Sequence, residues 1–292
     1  MTTSWLEEAG LPVRSAQGLD VSDFQGHFDW SATSGLSFGT FRLTQGLGGA
    51  GTASPDPDAA WNHREIAKAQ LHRGAYHFLD PRLPGAQQAA YMVAEHAKLG
   101  TTSHDSFWCD NETGAGVSAA AIATCAKAFM RELDKLVPRN PRGVYTFIDF
   151  AASGCCAGLG EYALWLAHPG ALAPTPPPPW HRWKFWQFGT RNGVDADAFN
   201  GTAPQLDEWV KSFAPAVKPP APKVVTHVTA GDLSLAGLAV QHHTKAMHIL
   251  HLTSDHFGGF PPEVAAWGNA VWAGILSPSA AMPAGMHLRI PA

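Results

Sequence analysis

Phe107-Trp108-Cys109-Asp110-Asn111-Glu112-Thr113-Gly114 decides how this chain is read: an apolar run breaks into two carboxylates one residue apart and closes on glycine. The aromatic run, bounded by Asn111 and Gly114, predicts a strand over Phe107 to Asp110. Period-two alternation then places Trp108, Asp110 and Glu112 on one face. Two strand rises separate the acids by roughly 6.6 Å of backbone, so two ionised carboxylates repel and one holds its proton towards neutral pH. A neutral acid beside an ionised one is what glycosidic cleavage requires. Two solvated acids at a strand end would be written the same way, so the flanking chain has to decide.

Working outward, strands and helices alternate. Strands are predicted at Gly18 to Ser22, Phe38 to Thr44, Gly74 to Phe78, Gly143 to Thr146, Tyr162 to Ala167, Trp183 to Phe188 and Val194 to Phe199. Helical patterns fill Asp58 to His72, Gly85 to Leu99, and a long segment capped by Ser118 with Ile122, Cys125, Phe129, Leu133 and Leu136 on one face. Little helix separates the later strands. The alternation predicts a parallel α/β barrel of TIM-like type with an incomplete helical ring, its site at the C-terminal strand ends. Asp20, Asp110, Glu112 and Asp195 all fall at or near such ends. His77 alternates with Tyr76 and is expected to face the helices as a satisfied core histidine.

Composition narrows the function classes. The chain has 292 residues, 45% of them apolar, enough for one large domain and a small one. Lys and Arg total 20 against 24 Asp and Glu, a net charge of -4 without a basic cluster, so nucleic acid is not expected as a partner. Neither a Sec-type leader nor a run of 18 apolar residues occurs, which predicts a soluble, cytoplasmic product without membrane insertion. The four cysteines, Cys109, Cys125, Cys155 and Cys156, lack metal-site spacing and are expected as reduced, mostly buried thiols. Residues 214–223 carry four prolines and read as a semi-rigid linker. The expected organisation is a leader over 1–15, a barrel over 16–213, that linker, and a second unit over 224–292.

From Gly18 to Phe213 the chain resembles the family 25 glycoside hydrolases, the Chalaropsis-type lysozymes that cleave bacterial peptidoglycan. Six ordered matches carry the resemblance. They are Gly18-Leu19-Asp20-Val21-Ser22 with Gln25 and Asp29-Trp30; Arg42-Leu43-Thr44-Gln45-Gly46; Gly74-Ala75-Tyr76-His77-Phe78; Asp110-Asn111-Glu112; Trp186-Gln187-Phe188; and Val194-Asp195-Ala196-Asp197-Ala198-Phe199. The resemblance implies an N-acetylmuramidase cutting the β-1,4 bond between N-acetylmuramic acid and N-acetylglucosamine. It implies Glu112 as the general acid, Asp110 as the residue that orients the acetamido group or stabilises charge, and Asp20 and Asp195 completing an acidic floor. It also implies the substrate's acetamido group as a nucleophile. The spacing itself leaves open the retaining pairs at about 5 to 5.5 Å and the inverting pairs at about 6.5 to 9.5 Å. Tyr76, Phe78, Tyr145, Trp165 and Trp186 are candidates for stacking on sugar rings, and each is also an ordinary barrel-core residue. Asn111 stands where the family has an apolar residue, and needs a hydrogen-bond partner behind the strand.

The last unit resembles a LysM module, a βααβ fold that binds N-acetylglucosamine. The match lies in His227-Val228-Thr229-Ala230-Gly231-Asp232-Leu233-Ser234 and in the closing Met282-Pro283-Ala284-Gly285-Met286-His287-Leu288-Arg289-Ile290-Pro291, with a longer middle between them. No cofactor or metal is expected. The cluster His242, His243, His248, His251 and His256 has no His-Glu-x-x-His motif and no strong Asp, Glu or Cys complement, and reads as solvated or capping histidines. Together these features resemble a bacteriophage endolysin, made in the host cytoplasm and released to the cell wall through a holin. The alternatives are a non-catalytic wall-binding or virion protein on a degenerate lysozyme scaffold and, further off, a zinc amidase or peptidase that chelators would inhibit.

Overall fold

The computed structural model describes residues 15–32, 34–49 and 54–213, together with the backbone of 224–228 and 287–291. The chain divides into two compact units, 1–216 and 217–292. In the first, eight strands close into a barrel in chain order. They are β1 (Gln17–Val21), β2 (Phe38–Gln45), β3 (His72–Phe78), β4 (Ser106–Asp110), β5 (Arg142–Phe147), β6 (Ala163–Ala167), β7 (Phe185–Arg191) and β8 (Val194–Phe199). Helix α1 (Ala59–Lys68) follows β2, α2 (Gly85–Leu99) follows β3, and α3 (Ala119–Leu136) follows β4. After β5 there is only a short helical stretch, Ile148–Cys155, whose second half is a π turn. No helix joins β6 to β7 among the described residues, so the helical ring is incomplete. Helix α4 (Ala203–Lys211) follows β8, held by a Thr202/Gln205 capping box.

Helix α4 has no counterpart in the sequence expectation, and two further elements differ from it. Helix α1 stops at Lys68 rather than reaching His72; Gln70 turns left-handed at φ 58° and releases the chain into β3. More consequentially, β8 is antiparallel to both β7 and β1, so the barrel is parallel only from β1 to β7. The reversal is made by Asn192-Gly193, with φ of 54° and 79°, between paired Arg191 and Val194. Two left-handed residues in a two-residue loop are the turn that matches the twist of paired strands, and Asn-Gly favours it most.

Strand alternation sorts the core into two clusters. Leu19, Val21, Phe41, Leu43, Ala75, Phe107, Cys109, Val144, Leu164 and Leu166 point outward against Ile66, Met92, Phe129, Met130 and Leu133 of the helices. Phe38, Trp108, Trp165, Phe185 and Phe199 fill the lumen, and Leu206 and Val210 of α4 join them from the N-terminal pole. Such bulk leaves no room for side chains at every lumen position: a Cβ at Gly143 would lie 2.4 Å from the Trp108 ring. Outside, α2 meets α3 backbone to backbone, since a Cβ at Gly85 would lie 2.1 Å from the Cys125 carbonyl oxygen. Ser118 caps α3 by accepting from the Ala121 N–H.

His77 faces the helices, wholly buried. Its Nδ1 is 2.8 Å from Thr44 Oγ1 and its Nε2 is 3.1 Å from Gln88 Oε1. Gln88 Nε2 donates to the Asp80 and Leu83 carbonyls, which fixes Gln88 Oε1 as the acceptor. His77 therefore donates through Nε2 and accepts from the Thr44 hydroxyl. Burial lowers its pKa to about 4 and keeps it neutral. All four cysteines are buried free thiols.

In the second unit β9 (Val224–Val228) pairs antiparallel with β10 (His287–Pro291), His287 opposite Val228 and Pro291 opposite Val224. The linker over 214–223, most of the leader, the span 229–286 and the histidine cluster from His242 to His256 lie outside the described residues. No helix among the described residues is long and apolar enough to cross a membrane.

Candidate active site

The strand ends converge on a pocket of about 110 Å³ at the C-terminal rim of β1 to β7. Asp20, Asp110, Glu112 and Asp195 form its acidic side, and Tyr76, Tyr145, Trp165 and Gln187 the rest of its lining. Asp195 arrives differently from the other acids: it is near the N-terminal end of the reversed β8, opposite Asp20 in the ladder. Glu112 lies just past β4 but keeps the inward phase of Asp110. The volume holds about four waters, or one group the size of an acetamide.

Behind the strand, Asn111 is buried and its Nδ2 donates to the Cys155 carbonyl at 3.2 Å and approaches Cys156 Sγ at 3.4 Å. The π turn after β5 thus supplies the partner that a polar residue between the acids requires.

A chain of hydrogen bonds lies under the acids. Tyr145 Oη donates to Gln187 Oε1 at 3.1 Å, and Gln187 Nε2 donates to Asp20 Oδ2 at 2.9 Å. Asp197 lies against Asp20: its Oδ1 accepts from Trp165 Nε1 at 2.7 Å, and its Oδ2 is buried with no donor to accept from. A bond between two carboxyl groups needs a proton on one of them. Burial, then the neighbouring charge of Asp20, pushes Asp197 well above the usual carboxylate range, so the proton resides there and Asp197 donates it to Asp20.

The remaining acids are raised as well. Burial and then Asp195 push Asp20 up to about 7. Asp110 is raised well above the ordinary value by burial, then by Glu112 and Asp20, with Arg42 opposing. Glu112 is raised by burial and by the charge of Asp195, and Asp195 by burial. Five carboxyl groups in one desolvated space cannot all ionise, and the site is poised to hold and release protons near neutrality. Asp110 Oδ1 is buried with no hydrogen-bond partner.

Not every expected groove residue lies here. Trp186 faces outward: it is 1% exposed, donates from Nε1 to the His168 carbonyl and packs with Trp183 and Phe188. It is a wall of the core, because β7 has the opposite phase from the one a groove role needs, and Gln187 takes the inward place. Phe78, opposite Asp110 in the ladder, is half-buried at the rim and does not line the pocket. Gln187, Asp197 and Trp165 are the site residues that sequence reasoning undervalued. Period-two alternation from Phe185 and from Asp195 was the available signal. A larger cavity, about 740 Å³, opens at the opposite pole around Arg142, Trp180, Lys184 and Phe213 and holds no carboxylate cluster of this kind. The described residues best placed to hold a metal ion, His63, His96 and Asp105, lie outside the pocket.

A barrel whose rim gathers raised carboxyl groups between aromatic side chains has the architecture and the acid chemistry of a glycoside hydrolase. The chain belongs to glycosyl hydrolase family 25, whose model matches residues 19–197. It is 30% identical over 215 residues to Lysozyme M1 of Streptomyces globisporus, covering 65% of this chain and 69% of that protein. Among solved structures it is similar to the bacterial lysozyme from Streptomyces coelicolor, with a TM-score of 0.60 and 26% identity over 70% of this chain and 100% of the other. The muramidase from Trichobolus zukalii shares the fold, with a TM-score of 0.59 at 23% identity over 68% of this chain and 99% of the other.

Proposed function

We propose that the barrel is an N-acetylmuramidase that cleaves the β-1,4 bond between N-acetylmuramic acid and N-acetylglucosamine in bacterial peptidoglycan. The observation that carries this reading is the convergence of Glu112, Asp110, Asp20 and Asp195 on one pocket whose acids are raised towards neutrality. Glu112, held protonated by burial and Asp195, gives its proton to the glycosidic oxygen as the bond from C1 breaks. Asp110 presents an unpartnered buried oxygen that accepts the N–H of the muramic acetamido group, aligning the acetamido oxygen to close on C1. Asp20, steadied by Gln187 and Asp197, and Asp195 stabilise the positive charge that develops on the sugar. The lysozyme identity of the similar Streptomyces proteins supports the substrate class.

The second unit, on this reading, is a LysM-like wall-binding module over 224–292, joined by the linker over 214–223. The antiparallel pairing of 224–228 with 287–291 is what the first and last strands of such a module do, and supports it. A catalytic barrel followed by one wall-binding unit supports the role of a phage endolysin, made in the host cytoplasm and delivered to the wall through a holin. The test is digestion of purified actinobacterial peptidoglycan by the wild type and by Glu112→Gln, with fragments reduced by borohydride and weighed. Reduced N-acetylmuramic acid ends are expected from the wild type and none from the folded variant. If both proteins sediment with the wall and neither cuts it, the chain is a binding protein on a degenerate scaffold; free peptides would mean a different bond.

A further inference from the structure

Three ligating side chains meet on the outer wall of the barrel, away from the acidic pocket. His63 comes from the middle of α1, His96 from the last turn of α2, and Asp105 from the residue before β4. One ligating atom of each lies within 4.8 Å of the other two, and all three residues are buried. The two rings stand 5.4 Å apart at 78°, close without stacking.

Both histidines have a nitrogen with nothing to bond. His96 is fully buried; its Nδ1 is 2.8 Å from Thr101 Oγ1, while its Nε2 has no partner. His63 Nε2 is likewise buried and unpartnered. Buried polar atoms are almost always satisfied, and an unsatisfied imidazole nitrogen on each of two histidines whose ligating atoms lie within 4.8 Å of each other calls for a group that accepts lone pairs. A metal cation does so; the Thr101 bond also orients His96 in the way that partners of ligating imidazoles do.

We propose that His63, His96 and Asp105 bind one divalent transition-metal ion of the zinc type, tying α1 and α2 to the foot of β4. Asp105 has a position to spare. Its Oδ1 accepts from Arg73 Nε at 2.8 Å and pairs with Arg73 at 2.7 Å, and its Oδ2 accepts from the Thr102 N–H at 2.6 Å. Of about four lone-pair positions on a carboxylate, one on Oδ2 stays open. Arg73 already balances the Asp105 charge, so cations that depend on anionic oxygen gain little. An ion that bonds strongly to imidazole is selected instead. Burial, then the charge of Arg73, keeps both rings neutral, with their lone pairs available. Tetrahedral zinc at about 2.05 Å from each donor brings the donors to about 3.3 Å of one another, so the three side chains draw inward on binding. His63 borders a surface depression that also touches Arg64, Lys68 and Lys98, and those cations are paired with Glu65 and Glu95. The path for the ion is therefore not closed by unpaired positive charge.

The test uses the untagged full chain, stripped with chelator and dialysed, then titrated with Co²⁺ and Zn²⁺. Seven of the 15 histidines fall in 224–292, so the readout is the difference between the wild type and variants of the same full chain. Expected are one equivalent of Co²⁺ with the intense visible absorption of a low-coordinate imidazole site, displaced by Zn²⁺ and not by Mg²⁺ or Ca²⁺. Zn²⁺ at a hundredfold excess over Kd should raise the barrel's Tm by about 5–10 °C. His96→Gln should lose that equivalent and the Tm rise; His63→Gln, at a less buried position, serves if His96→Gln does not fold. Wild type that takes up no Co²⁺ or Zn²⁺, or variants that bind and respond to Zn²⁺ as the wild type does, would overturn the proposal and assign the space to a buried water.

Discussion

Replacing Asp197 by Asn should stabilise the barrel at neutral pH and leave its stability unchanged in acid. Asp197 is wholly buried, accepts from Trp165 Nε1 at 2.7 Å and shares a proton with Asp20. An unfolded chain releases this proton near pH 3.9, the ordinary aspartate value, whereas the native state keeps it to a much higher pH. Above about pH 4 the native state therefore binds more protons than the unfolded one. Its stability falls by about 1.4 kcal/mol per pH unit until Asp197 titrates in the fold. Asparagine keeps the shape, keeps Oδ1 as acceptor for Trp165 and offers Nδ2 to Asp20, with no proton to lose. The advantage of Asp197→Asn should be absent below pH 4 and grow by about 1.4 kcal/mol per pH unit above it for as long as the fold holds the proton. Asp20, itself pushed up to about 7, titrates in both proteins and largely cancels in the difference. Asp197→Ala, by contrast, strands the indole N–H of Trp165 and one side of Asp20, at about 1–3 kcal/mol for each unsatisfied group. Urea unfolding at several pH values, with hydrogen exchange read on peptides covering β6 and β8, separates the two. If Asp197→Asn proves as unstable at pH 7 as Asp197→Ala, Asp197 is ionised in the fold and the assignment of the proton is wrong.

Tyr145→Phe removes the bond to Gln187 Oε1 and loosens the amide that steadies Asp20; kcat/KM on peptidoglycan should fall about tenfold, near 1.4 kcal/mol, with little loss of stability. Trp186→Phe should do the reverse, holding kcat/KM within about twofold while the lost bond to the His168 carbonyl costs about 1 kcal/mol in urea unfolding. In Gly143→Ala the new Cβ meets both the Trp108 ring and the Ala163 carbonyl oxygen at 2.4 Å. It should cost about 3 kcal/mol or more, read as a lowered urea midpoint or loss of soluble protein.

Sequence reading found what is written locally. The strand at Phe107 to Asp110 is legible because an aromatic run ends at turn-forming residues, and the helix-facing, satisfied His77 because it alternates with Tyr76. The direction of β8 was also written, in Asn192-Gly193, but alternation of strands and helices suggests a parallel strand unless that turn is weighed first. Trp186 was misplaced by a single residue of phase, since an aromatic is as much at home against the outer layer as in a sugar groove, and only the partner strands fix which face is inside. The proton on Asp197 depends on Asp20, 177 positions away along the chain, and on Trp165 from a third strand. His63, His96 and Asp105 come together only when two helices and a strand pack. No spacing rule joins residues brought together by tertiary structure alone.

The reversed last strand has a consequence for how the catalytic module is wired into longer chains. An all-parallel closure needs one more helix to bring the chain back from the mouth of the cleft; here the last strand itself returns it beside the point where it came in. Ala16 exchanges backbone hydrogen bonds with Phe199 and Gly201, its N–H donating to the Gly201 carbonyl and its carbonyl accepting from the Phe199 N–H, each at 2.8 Å. Both leads emerge from the face turned away from substrate, like the pins of a plug. Cargo spliced ahead of residue 16 or behind residue 213 starts on the far side from a polymeric substrate. The same geometry permits the module to be set as an insertion into a surface loop of another protein with its cleft unobstructed.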